Sequence, residues 1–134
     1  MSKTRHEDPI LELDGWELVS AEVRNAAHPD TFQIPTRDRR MSLVRGDAVK
    51  LLFLIESTED GRMIERGVDR MWVIVKAAGD GRYVGILDND PGEAEGVFLH
   101  LGDEIVFGAE HVAAIERPPR DYIVGKYGPE FLGE

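Results

Sequence analysis

MWVIVKAAGDGRYVGILD, residues 71–88, decides how this chain folds. Met71 to Val75 is β-branched or aromatic on both faces, the composition of a strand with covered sides. Tyr83 to Leu87 repeats that character, and the glycine-containing break between the two runs reads as a hairpin connection. Gly85 sits inside the second run, where a missing side chain leaves space for a large neighbour, and Trp72 is the expected occupant.

Working outward, VKLLFLI, residues 49–55, is apolar at consecutive positions. Such a strand needs both faces covered, by barrel closure or by a helix packed outside. The polar stretch STEDGR follows as a loop, with its turn signal at Asp60-Gly61. Downstream, VFLHL and EIVFG read as two further short strands, and AEHVAAI as a helical turn or a last strand. HLGDEIV echoes VRGDAVK: in both, Gly-Asp, one spacer and a β-branched residue follow in order, so one corner geometry should open both strands. The tripeptide Arg45-Gly46-Asp47 is read in that structural sense rather than as an adhesion signal.

Upstream, Trp16, Leu18, Val19, Glu22, Val23 and Ala26 fall near helical spacing and predict a helix over Trp16–Ala27, ended by His28-Pro29. An extended piece through Phe32 and Ile34 and a short turn capped by Thr36 come next. The sum is a mainly β (α+β) fold: a small curled antiparallel sheet or SH3-like barrel of about five strands, with one N-terminal helix packed on it. One domain is expected, with a loose tail over 1–14, a folded core over 15–116 and an extended, proline-broken tail over 117–134. Tyr122, Ile123, Tyr127, Phe131 and Leu132 make that tail too apolar to float. They should dock on their own sheet or on a second copy.

The chain has 134 residues, a net charge of −10 and no cysteine. Thiol chemistry and disulfides are therefore excluded. No apolar run approaches the roughly 18 residues that span a bilayer, and the start has no secretory pattern, so a cytoplasmic protein is expected. Charge is uneven: −4 over residues 1–35, +1 over 36–70 and −7 over 71–134. That field repels phosphate backbones and anionic lipid, which argues against nucleic-acid and membrane partners.

Asp88, Asp90, Glu93 and Glu95 follow the second hairpin strand in ILDNDPGEAEGVF, residues 86–98. A calcium loop begun at Asp88 would place Gly92, Glu93 and Leu99 where an oxygen ligand, a glycine and a bidentate glutamate are needed. Asn89 to Gly92 instead carry turn residues. His6, His28, His100 and His111 lack the i, i+3 or i, i+4 spacing that presents two ligands from one helix. No GxSxG, GxGxxG or GxxxxGK[ST] pattern occurs, and no serine has an activating setting. The expectation is a non-enzymatic domain without a cofactor or dedicated metal, which meets a basic protein surface through Asp88, Asp90, Glu93 and Glu95. Trp72 or another exposed aromatic beside the acids would be its anchor. Two alternatives stay open: a small-molecule or metal-responsive pocket near Trp72, Gly85 and His100, and a structural homodimer joined through the C-terminal tail.

RMWVIVKAAGDGRYVGILDNDP followed by LGDEIVFGAEHV resembles the bacterial YegJ-type domain of unknown function and related small domains among immunity proteins of toxin systems. The shared order is a Met-Trp-Val strand, a glycine hairpin, Gly85-x-Leu87-x-Asn89-x-Pro91 at a strand end, Gly102-Asp103-x-Ile105-x-Phe107, and His111-Val112. AHPDTFQIPTRDRR and RGDAVKLLF extend the likeness to roughly residues 26–115. Ala113-Ala114-Ile115 stands where such domains often carry Asp-Trp. The resemblance implies a binding role and transfers no catalytic residue.

Overall fold

The computed structural model describes residues 9–133. Antiparallel pairing orders five strands as β1 (Trp16–Val19), β2 (Ala48–Glu59), β3 (Arg62–Gly79), β4 (Arg82–Leu87) and β5 (Glu104–Gly108). A sixth, β6 (Val112–Glu116), pairs with β2 beside β1. The sheet curls into a half-barrel, the mainly β, strongly curled arrangement expected from the hairpin spacing.

Both long hairpins close on two-residue Asp-Gly turns. Asp60 and Asp80 each have φ 53°, followed by Gly61 at 79° and Gly81 at 77°. Positive φ at both central residues gives the turn the twist of the strands it joins. STEDGR is thus mostly strand, with only Asp60 and Gly61 outside the ladder.

Strand alternation divides the apolar residues into two cores. Odd positions of β2 and β3, among them Val49, Leu51, Phe53, Met71, Val73 and Val75, point inside with Tyr83, Leu87, Ile105, Phe107 and Val112. Trp16 packs on Phe53 at 5.5 Å and Tyr83 stacks on Phe107 at 5.2 Å between ring centroids. Even positions Ala48, Trp72 and Ile74 face outward and meet Ile123, Tyr127, Phe131 and Leu132. The helix that covers the outer face is therefore C-terminal: α4 (Arg120–Tyr127), continued by a 3-10 turn at Pro129–Leu132. The expected extended tail is corrected on this point, and its apolar side chains dock on their own sheet.

The expected Trp16–Ala27 helix is half strand. Trp16–Val19 pairs with Leu52–Ile55, and only Ala21–Ala27 (α2) is helical, started by Ser20 Oγ accepting the Val23 amide at 3.1 Å. Val23 and Ala26 lie exposed, so the presumed apolar stripe was not a core face. One turn at Leu11–Asp14 (α1) lies inside the stretch expected to be loose, whereas residues 1–8 lie outside the described residues. The Phe32–Ile34 piece stays irregular. Thr36 does cap a turn, α3 (Arg37–Arg40). Arg40 is buried there: its guanidinium donates to the carbonyls of Pro35 and Ala109, both at 2.9 Å, and pairs with Glu22 at 2.5 Å.

The two Gly-Asp sequences form one geometry used twice. Asp47 Oδ2 accepts the Val44 amide at 2.9 Å, and Asp103 Oδ2 accepts that of His100 at 2.8 Å. Gly46 and Gly102, at φ 96° and 91°, donate to the carbonyls of Val75 and Leu87. Those same residues, Val75 and Leu87, donate back to the carbonyls of Asp47 and Asp103. Each corner thus clamps the strand beside it. Arg45 donates to the carbonyls of Lys76 and Phe131, and Asp47 is buried, so this tripeptide is structural.

Candidate functional site

The acidic segment begins where β4 ends. Asp88 donates its amide to the Trp72 carbonyl at 2.9 Å, and the Asn89 side-chain oxygen accepts the Trp72 amide. Asn89 thereby extends the β3–β4 ladder by one step with a side chain. Asp90 Oδ1 accepts the Gly92 amide at 2.9 Å and folds the chain back. From there the segment crosses to the far side of β2. Thr58 donates to the Glu95 carbonyl at 3.0 Å, Phe98 donates to the Asp14 carbonyl at 2.9 Å, and the Trp16 indole donates to the Phe98 carbonyl at 3.1 Å. A Cβ on Gly15 would stand 2.0 Å from the Gly96 carbonyl oxygen, so only glycine permits the crossing. VFLHL, expected as a strand, is the end of this strap, with Leu99 alone buried from its middle.

The four acids then separate. Asp88 is only 7% exposed at its side chain. Its Oδ2 accepts the Tyr122 hydroxyl, and its Oδ1 accepts the Tyr127 hydroxyl and the Lys126 ammonium, the latter at 2.7 Å. Burial on its own would raise this carboxyl, but the bonds from Lys126, Tyr122 and Tyr127 outweigh it and hold the group below the usual carboxylate range. The bond to Asp88 raises Lys126 in turn; burial, then the same carboxylate, pushes the Tyr127 phenol up. Asp88 is a clasp on α4, and its place in the expected docking set is corrected for that reason. Trp72 is half-buried on the outer face, away from the strap, with the Lys50 ammonium 4.8 Å from its ring centroid.

Asp90, Glu93 and Glu95 are exposed. Beside them stands Phe98, 64% exposed, and a shallow hollow of about 360 Å³ runs from Glu93 through Phe98 to His100. The exposed aromatic beside the acids is therefore Phe98. Sequence alternation assigned Phe98 a strand position; its exposure follows from the strap conformation. Beneath the strap, a second cleft of about 330 Å³ lies between Pro91–Ala94 and the inner face of the β2–β3 hairpin at Ile55, Glu65 and Asp69.

Trp72, Gly85 and His100 do not converge. Gly85 makes room for Val73 and not for Trp72: a Cβ there would lie 2.3 Å from Val73 Cγ1 and 2.8 Å from the Ile74 carbonyl oxygen. His100 is exposed on the strap side. His111 lies elsewhere, its Nδ1 accepting the Gly108 amide at 3.0 Å. Among the described residues no three His, Asp or Glu side chains gather as a metal-binding group, and no helix is long and apolar enough to cross a membrane.

Comparisons with protein-family models, with curated proteins and with solved structures find no match to this chain.

Proposed function

We propose that this chain is a non-enzymatic, acidic protein-binding domain of the YegJ type, serving an immunity-like role in the cytoplasm and meeting a basic surface of its partner. The observation that carries this reading is Phe98, a large aromatic left 64% exposed among Glu93 and Glu95 on a strap held at both ends. An exposed aromatic fixed by its backbone contributes contact area with little ordering cost, the character of an interface anchor. The acids around it, on a chain of net charge −10, draw a basic surface toward the same spot and repel acidic competitors.

The test is affinity capture from the native host, followed by binding kinetics with the captured protein. Asp90→Asn, Glu93→Gln and Glu95→Gln together should slow association about tenfold or more at low salt. Phe98→Ala should act on dissociation, by about thirtyfold for an anchor worth about 2 kcal/mol. Partners and rates unchanged in both variants would end this reading. Asp88 stays unaltered in these variants, because its loss would loosen α4 and confuse the result.

A further inference from the structure

Strand β3 is paired on both sides near its C-terminal end and on one side only toward its turn. β2 accompanies it from Arg62 to Ile74, but β4 reaches back only to Val73, where Asp88 and Asn89 add the step at Trp72. Antiparallel ladders alternate, so Arg70, Val68 and Arg66 turn their N–H and C=O groups the same way as Trp72. No described residue bonds to these backbone groups. An unpaired edge of this kind is a template for another strand.

Its charge pattern selects what fits. On the concave face, Glu65 and Asp69 flank Gly67, where nothing lies within 4 Å of a Cβ position, and Glu93 of the strap closes the cleft from above. On the convex face, Arg66 and Arg70 flank Val68; Arg66 also pairs with Glu56 at 3.7 Å, and Arg70 sits 5.5 Å from the Phe32 ring. A second copy paired antiparallel about Val68 would oppose Arg66 and Arg70 at two places. Centring it on Asp69 opposes Asp69 to itself, and centring it on Gly67 opposes Glu65 to Asp69. Like charges directly opposite destabilise a sheet, so the edge rejects its own kind.

We propose that the Arg66–Arg70 edge of β3 receives an extended segment of the partner protein as an added antiparallel strand, with basic side chains turned into the acidic cleft and acidic ones turned toward Arg66 and Arg70. This rests on the protein-binding reading and names how the partner is held. Main-chain bonds to the edge supply the attachment, and the alternation of charge supplies the selection.

The probe is the blocked heptapeptide Lys-Glu-Lys-Val-Lys-Glu-Lys, which presents the required alternation in either direction, titrated into the nitrogen-15-labelled chain. Shifts centred on the amides of Arg66, Val68 and Arg70, with hydrogen exchange there slowed about tenfold or more, are expected. Methylating the Val and Glu amide nitrogens of the peptide keeps its charge and should weaken binding at least about tenfold. Val68→Pro removes a donor that β2 does not use and should weaken the parent peptide alike, with the β2–β3 amide pattern reporting that the hairpin is intact. Equal binding by the methylated peptide, shifts confined to the strap, no binding at millimolar peptide, or a homodimer abolished by Val68→Pro would each overturn the proposal. A host partner lost on neutralising Asp90, Glu93 and Glu95 but retained by Val68→Pro would overturn the added strand while leaving the protein-binding reading standing. A host partner lost on Val68→Pro but retained when Asp90, Glu93 and Glu95 are neutralised would leave the added strand standing and overturn the role given to the acids.

Discussion

Replacing Asp88 by Asn keeps the shape of the side chain and removes its charge, which isolates what the carboxylate does for α4. Three donors converge on it from α4, Tyr122, Lys126 and Tyr127, and the side chain is 7% exposed. The Lys126 side chain is 40% exposed, so solvent screens that pair to roughly 0.5–1 kcal/mol. Each tyrosine bond falls from a charged to a neutral acceptor, a loss of roughly 0.5–1 kcal/mol apiece. The total is about 1.5–3 kcal/mol. At roughly 3 °C per kcal/mol for a chain of this size, the melting temperature should drop by about 5–9 °C at pH 7. Thermal unfolding followed by circular dichroism measures the drop, and hydrogen exchange across Arg120–Tyr127 locates it. A change under about 1 °C with α4 amides still protected would refute the clasp. Ile123 and its neighbours against Ala48 and Ile74 would then suffice to hold the helix.

Two further outcomes follow from the same contacts. The lowered Asp88 carboxyl contributes stability that is present above its unfolded value, near 3.8, and lost as pH falls through the folded one. The raised Tyr127 and Lys126 contribute stability that is present below about 10 and lost as pH rises through their folded values. Protection of α4 should therefore be level between about pH 5 and 9 and decline on either side, with the acid decline absent in Asp88→Asn; an unchanged acid decline in that variant would count against the clasp. Gly85→Ala should destabilise by about 1–3 kcal/mol, read as a lower denaturant midpoint, because the added Cβ meets the Val73 side chain at 2.3 Å and the Ile74 backbone at 2.8 Å. A neutral result would mean that β3 and β4 can part more easily than their register implies.

What could be read from the sequence depended on the range of the interaction responsible. The β3–β4 hairpin was legible because Asp-Gly turns and β-branched runs act within a few residues. Trp16–Val19 was not: over four residues, alternation and helical spacing both mark Trp16 and Leu18 or Val19, and pairing to Leu52–Ile55 decides for strand. Ser20 as a cap before Ala21 was the local sign of where the helix begins. Helix α4 carried its own signals too, with Pro119 before the first turn, Asp121 in it, Lys126 in the last turn and Gly128 beyond. Gly125 and the surrounding prolines masked them, and the contact that holds the helix comes from Asp88, more than thirty residues earlier. For the candidate site, composition located the acids but not their roles. Which carboxylate is consumed internally depends on what packs over it.

Position relative to a backbone amide or a distant donor separates these roles better than charge does. Asp47 and Asp103 spend their side chains on the amides three residues before them, Asp90 on Gly92, and Asp88 on α4. Only Glu93 and Glu95 in this group are exposed without such a use, and Asp90 retains one oxygen outside its turn. The corner at Asp103 also returns the strap to Leu87, whose amide and carbonyl it binds, so the strap begins and ends at one clamped point. Its middle is fixed across the sheet at Thr58. A segment held at both ends and across its span presents Phe98 and its acids in one arrangement before any partner arrives. Preorganisation of that kind lowers the ordering cost of association, so a small exposed set can carry a specific contact.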